Sequence, residues 1–142
     1  MPTEGFNSKL ESKYDHKKVE ERIRRFWEAE NIYAFNRDSG KEIFSIDTPP
    51  PTISGFIHLG HIYSYTQADF IARYKRMRNY EVFYPFGLDD NGLPSELLVE
   101  KNQHVTAEAL GREKFIELVQ KEVKVYENMY KTLWHSVGIS TD

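Results

Sequence analysis

Cysteine is absent from the 142-residue chain. That excludes a disulfide scaffold and any thiolate metal site, and it suits a reducing interior, so a cytoplasmic location is expected. Long apolar runs are also missing: none approaches the roughly 20 residues that a membrane-spanning helix needs. The opening MPTEGFNSKLESKYD has neither the apolar centre of a secretion signal nor the Arg-rich amphipathic character of an organelle presequence. The expectation is a soluble, unexported protein with no membrane partner. Charge of one sign is scarce too. The 19 basic and 22 acidic residues leave a net charge of −3, which gives no general attraction for a polyanion. DNA is not an expected partner, and an RNA would have to be recognised without help from bulk charge. Repeats and low-complexity tracts are absent. What is present, 39% hydrophobic and 14% aromatic residues, is enough to bury the core of one globular domain.

Residues 1–13 read as a polar N-terminal arm and residues 14–142 as the structured part. Asp15 is placed to cap a helix over Lys17 to Asn31, where Val19, Ile23, Phe26 and Trp27 make one apolar stripe that should pack on a partner surface. After the turn NRDSG, Ile43 to Ile46 read as a buried strand stopped by Asp47, Thr48 and three prolines. A helix follows from about Leu59 to Met77, and Val82 to Tyr84 read as a second buried strand closed by Pro85 and Gly87. Strand, helix and strand at this spacing make one parallel βαβ unit of an α/β fold. The remainder is helical. Ser95 and Thr106 each open a short helix, and Ile116, Val119, Val123, Tyr126, Tyr130, Leu133 and Val137 mark a long one ended by Gly138. Its heptad spacing fits a helix packed on the domain better than a coiled coil.

The stretch most informative about chemistry is Asp47 to His61, DTPPPTISGFIHLGH. In a βαβ unit it lies at the carboxyl end of the first strand, where open α/β sheets bind ligands. The helix start offers free N–H groups and a positive dipole end, a seat for phosphate. His58 and His61 stand three residues apart, so from the first helical turn both reach one anion. Gly60 between them leaves room for a planar base against the backbone. The same pair could instead be two ordinary surface histidines or part of a metal site, but a metal needs a third ligand, and the segment supplies none at fixed spacing.

The second element, FGLDDNGLPSE from Phe86 to Glu96, follows the second strand. A right-handed crossover brings the carboxyl ends of both parallel strands to the same sheet edge, so Asp89 and Asp90 should face the histidine loop. One carboxylate there can pair with an ammonium group. Asp, Asn and Gly are also simply what turns are made of. The basic cluster Arg73, Lys75, Arg76 and Arg78 reads as a solvated helix face, and Phe26, Trp27 and Trp134 read as core.

At these residues the chain resembles the class I aminoacyl-tRNA synthetases. HLGH at His58 to His61 is similar to their HIGH signature, and PPPTISGFIHLGH, FYPFGLDDNGLPSE and YDHKKVEERIRRFWEAENIY are similar, in order, to the valine branch of that family. The resemblance implies the first half of a Rossmann-like nucleotide-binding fold, preceded by a helix and followed by long helices. It implies activation of valine with ATP and transfer to tRNA(Val) by the intact enzyme, with Mg2+ entering on ATP and no protein metal site. His58 and His61 would contact the phosphates, Gly60 would lie against adenine with Thr48 nearby, and the backbone around Pro50 with the carboxylate of Asp89 would hold the amino group of valine. The acceleration would come from positioning and preorganised charge.

The family's second signature, a lysine-bearing KMSKS loop, is absent. So are its remaining strands, editing insertion and anticodon-binding helices; SKLESK at Ser8 to Lys13 is a superficial echo. The expectation is a truncated piece with weak ATP binding and little activation by itself. Isoleucine- or leucine-type synthetases, a stand-alone nucleotidyltransferase, and a non-catalytic module derived from a synthetase remain as alternatives.

Overall fold

A computed structural model describes residues 13–142; apart from Lys13, the expected N-terminal arm lies outside them. The chain divides into two units, one ending at Ile32 and one running from Tyr33 to Asp142.

In the first unit, α1 spans His16–Glu30. Asp15 caps it as expected, its carboxylate accepting from the Lys18 amide at 3.4 Å, and Asn31 closes it in the left-handed conformation at φ 52°. The apolar stripe is not a core. No residue of α1 is buried, and Phe26 is 56% exposed.

The second unit contains β1 (Ile43–Ser45), α2 (Leu59–Met77), β2 (Glu81–Phe83), α3 (Leu93–Gln103), α4 (Ala107–Leu110) and α5 (Arg112–Val137). The strands pair in parallel, with Ile43 opposite Glu81 and Ser45 opposite Phe83, so β1–α2–β2 is the expected βαβ unit. The strands are not buried on both faces, however. Phe44 and Val82 pack with Ala72 and Tyr84 under α2, while Ile43 and Phe83 on the other face are 46% and 39% exposed. One helix covers one side of the sheet, and side chains alternate across a strand.

A second core gathers Ile53, Val123 and Tyr130, with Ile57, Leu88, Leu98 and Val119 against it. It joins the loop after β1 to α3 and α5. Burying each such side chain contributes roughly 1.5–3 kcal/mol. The buried line of α5 runs through Phe115, Val123, Tyr130 and Trp134, so Trp134 is core as expected. Ile116 and Val137, expected on that line, are exposed. At the two ends of the expected stripe Phe115 and Trp134 are the buried residues, Trp134 against the rings of Tyr65 and Phe86. Gly138 ends α5 in the left-handed region at φ 72°, where its N–H reaches Trp134 and His135 carbonyls.

Two further expectations are corrected. Ser95 does not open α3: Gly92 caps it, with Pro94 in the first turn, and the buried Ser95 hydroxyl donates to the Ile53 carbonyl at 2.7 Å. Nor is the basic cluster a solvated face. Arg73 donates to Asp69 at 2.7 Å and to the Gly138 carbonyl, Arg76 donates to Ser140 Oγ at 2.7 Å, and Lys75 lies over the Phe44 and Tyr80 rings. Only Arg78 of the four is exposed. Among the described residues, no helix is long and apolar enough to cross a membrane.

Candidate active site

The site is built where β1 hands over to α2. His58 is the N-cap of α2, extended at φ −105° and ψ 165°, and its Nδ1 accepts from the Gly60 amide at 3.2 Å. An accepting Nδ1 carries no proton, so in the neutral ring the proton is on Nε2, which is left to donate outward. This arrangement changes the expected phosphate seat. The Gly60 amide is taken by the His58 ring, and the His61 amide donates to the His58 carbonyl at 3.0 Å. What the helix start offers is its dipole, with no acidic residue in the first turn to offset it, together with two imidazoles.

The imidazoles stand together, with ring centroids 3.9 Å apart and planes tilted by 36°. Burial, and secondarily the neighbouring His58, lowers the pKa of His61 from the ordinary histidine value. Its Nδ1 is buried without a hydrogen-bond partner. Gly60 has a local reason that precedes any ligand: a Cβ there would lie 3.0 Å from two atoms of the His58 ring, so a side chain would require the ring to give by a few tenths of an ångström.

His61, Thr48 and Pro50 line one cleft of about 320 Å³, with Thr52, Ser64 and Tyr65 among its other walls. His58 adjoins it through its contact with His61. Asp89 does not line the cleft. It stands behind Thr52, whose hydroxyl donates to Asp89 Oδ2 at 3.1 Å. The two loops form an isolated parallel bridge there, with the Ile53 amide donating to the Asp89 carbonyl at 2.8 Å and the Asp89 amide to the Pro51 carbonyl at 3.0 Å. Gly87 faces Pro50, a Cβ on it falling at an ordinary 3.8 Å from the proline. The histidine loop and the Asp89 loop therefore run side by side, as the crossover argument requires. Asp90 lies instead along a separate groove with Glu96 and Lys124.

The side chains that shape this loop were not legible as site residues. The Tyr65 hydroxyl donates to the Pro49 carbonyl, Ser95 to Ile53, and Tyr130 to the Gly55 carbonyl at 2.8 Å. Three helices thus hold the carbonyls of one irregular loop, whose buried polar groups would otherwise lack partners. Burial raises the Tyr65 and Tyr130 hydroxyls above the ordinary tyrosine value, and burial followed by Asp69 pushes Tyr84 up to about 12. All three remain protonated donors at neutral pH. The Tyr84 hydroxyl donates to the Tyr65 carbonyl at 3.4 Å, which ties α2 beside the cleft to the end of β2.

With this geometry in hand, the comparisons with known proteins are specific. The family model described as tRNA synthetases class I (I, L, M and V) matches residues 22–142. A valine--tRNA ligase from Wolbachia pipientis wMel is 48% identical over 133 residues, covering 94% of this chain, and one from Rickettsia akari is 43% identical over 130 residues, covering 91%. The chain spans about 15% and 16% of the length of these curated relatives. Among solved structures, the ternary complex of Agrobacterium radiobacter K84 agnB2 LeuRS with tRNA and LeuAMS matches at a TM-score of 0.68 and 25% identity, over 91% of this chain and 15% of that one. A match running through the histidine loop and the Asp89 loop and over most of the sequence places the chain in the tRNA synthetases of class I (I, L, M and V).

Proposed function

We propose that this chain supplies the first half of the amino-acid activation site of a valine-type synthetase, acting as part of a longer protein. That enzyme would join valine to ATP as valyl-adenylate, with loss of pyrophosphate, and transfer the valyl group to tRNA(Val) in the cytoplasm. The observation that carries the reading is the shared cleft: His61, Thr48 and Pro50 line it together, with a carboxylate one hydrogen bond behind its wall. The names of the relatives support valine as the amino acid.

In this reading His58 donates from Nε2 to the phosphates of ATP, and His61 beside it takes up positive character as the anion arrives. The dipole of α2 acts in the same direction. Negative charge grows on the α-phosphate oxygens as the valine carboxylate attacks, and fixed donors already aimed there stabilise that state without reorganising. Gly60 would lie against adenine with Thr48 nearby, and the backbone at Pro50 with Asp89 would receive the ammonium of valine. Asp89 keeps acceptor capacity for this beyond its bond to Thr52. Among the described residues, no group of three or more His, Cys, Asp or Glu is placed to hold a metal ion. Mg2+ is proposed to arrive as part of the ATP substrate, held by its phosphates.

Valine-dependent exchange of pyrophosphate into ATP tests the reading, measured on a longer protein carrying this sequence and on the 142-residue chain. Exchange is expected with valine, far less with isoleucine, and little from the chain alone. Exchange driven by isoleucine and not by valine would overturn the assignment.

A further inference from the structure

Asp69 lies outside the cleft and is 4% exposed, yet it is the most connected carboxylate in the second unit. Its Oδ1 accepts from the amide of Ser140 at 2.7 Å and from the Ser140 hydroxyl. Its Oδ2 accepts from Arg73 Nε at 2.7 Å. Arg73 also donates to the Gly138 carbonyl, and Arg76 donates to Ser140 Oγ at 2.7 Å. The stretch that leaves α5 is thereby fastened to the middle of α2, and one residue pair further on the Asp142 amide donates to the Tyr84 carbonyl at 3.1 Å beyond β2.

The consequence lies one helical turn from the fastening on α2 and two turns from it on α5. Tyr65, four residues before Asp69 on α2, holds the carbonyl at the start of the cleft loop, Pro49. Tyr130, two turns before Gly138 on α5, holds the carbonyl at its end, Gly55. The rings of Tyr65 and Trp134 meet edge to face at 4.7 Å. The loop is thus strung between two tyrosines on two helices, and the helices are fastened to each other at Asp69. Packed helices move as rigid bodies between discrete arrangements and do not deform smoothly, so the spacing of those two anchors depends on the fastening.

We propose that Asp69 is a positioning residue for the activation cleft, setting the shape of the Pro49–Gly55 loop by locking α5 onto α2 through Arg73 and Ser140. The inference rests on the functional reading above for its ligand but not for its geometry.

The test uses the full 142-residue chain, with backbone amide spectra of Ile53, Ser54 and Gly55 and titration with MgATP followed at the His58 and His61 rings. Asp69→Asn puts an N–H donor against the donor of Arg73, and Ser140→Ala removes the hydroxyl contact while leaving a sound fold. Both are expected to shift the three loop amides and to weaken MgATP binding by about tenfold, the scale of coupling through packed networks. The double variant Asp69→Asn with Arg73→Gln restores an uncharged pair and should return the amides toward their original positions. Phe115→Leu, in the buried end of α5 away from the fastening, serves as the stability control. It should lower the melting temperature while leaving the loop amides in place. The proposal is overturned if Asp69→Asn and Ser140→Ala behave like Phe115→Leu. If the loop amides move but neither the chain nor the longer protein binds MgATP, the positioning role holds and the functional reading fails.

Discussion

Thr52 and Asp89, 37 residues apart in sequence, are joined through both side chain and backbone: the threonine hydroxyl donates to the carboxylate at 3.1 Å, and the two residues face each other across a parallel bridge. The backbone part of this link holds the loops together whatever the side chains are. The side-chain part aims the carboxylate. Thr52→Val keeps the shape and removes only the donor, so it should cost about 1 kcal/mol of stability while raising the KM for valine more than that for ATP in the pyrophosphate-exchange assay. Equal effects on both substrates would place Asp89 away from the amino-acid end of the cleft.

His58 does two things, and one substitution separates them. As N-cap it accepts from the Gly60 amide; as a ligand it would donate from Nε2. Asparagine is among the strongest caps but cannot place a donor where Nε2 stands. His58→Asn is therefore expected to melt at or above the parent temperature and still bind ATP at least about tenfold more weakly, the loss of one charge-assisted bond. His58→Ala should lose both properties, with about 1 kcal/mol of stability gone. Calorimetry and ATP titration read the two effects independently, and unchanged ATP affinity in His58→Asn would reduce the residue to a cap.

Gly60→Ala runs against the usual trend. In an open helical position the change from glycine to alanine stabilises by roughly 0.8–1 kcal/mol. Here the new methyl would meet the His58 ring at 3.0 Å, so the ring must give by a few tenths of an ångström, which loosens its cap. The two effects are comparable, and no net gain in melting temperature is expected. The stacked His58 and His61 ring signals should separate in the spectrum. A clear gain in stability with the ring signals unmoved would show that the cap tolerates the methyl.

Much of the site's location could be read from the residues themselves. The limits of α2, Leu59 to Met77, and the meeting of the histidine loop with the Asp89 loop follow from local pattern and from the fixed handedness of a parallel crossover. The groups that hold the loop in shape could not be read that way. Ser95 and Tyr130 each bond a carbonyl 42 and 75 residues away, and a hydroxyl aimed at a distant carbonyl has no periodic signature. The burial of Arg73 and Arg76 has no local signature for the same reason. A run of arginines looks alike in sequence whether it meets water or a buried aspartate fastened to a serine 71 residues away.

Acid should weaken the folded state through His61. Burial, and after it His58, lowers the folded imidazole below 6.5, so the unfolded chain takes up a proton first. The contribution to stability is complete above pH 6.5 and is lost as pH falls from there through the folded value. Melting temperatures between pH 8 and pH 5 should thus fall more steeply for the parent chain than for His61→Gln. A bound triphosphate should reverse the direction, because an adjacent anion favours the charged ring. Parallel curves for the two chains would mean that His61 meets water much as a free imidazole does.

Tyr130→Phe asks whether the loop carbonyls need their donors or only the packing around them. The ring, 2% exposed, is retained, so no cavity forms. What disappears is the hydroxyl that reaches Gly55 at 2.8 Å and Thr52 at 3.4 Å. Stranding a buried acceptor costs about 1–3 kcal/mol, more than the hydrogen bond itself contributes to stability. Denaturant unfolding should show that loss with an unchanged slope. Tyr126→Phe on the same helix is the comparison, since its hydroxyl only accepts from the exposed Asn102 amide at 2.9 Å and its loss should stay within about 0.5 kcal/mol. If the two substitutions cost the same, water replaces the Tyr130 hydroxyl at the loop, and the helices hold the cleft by shape alone.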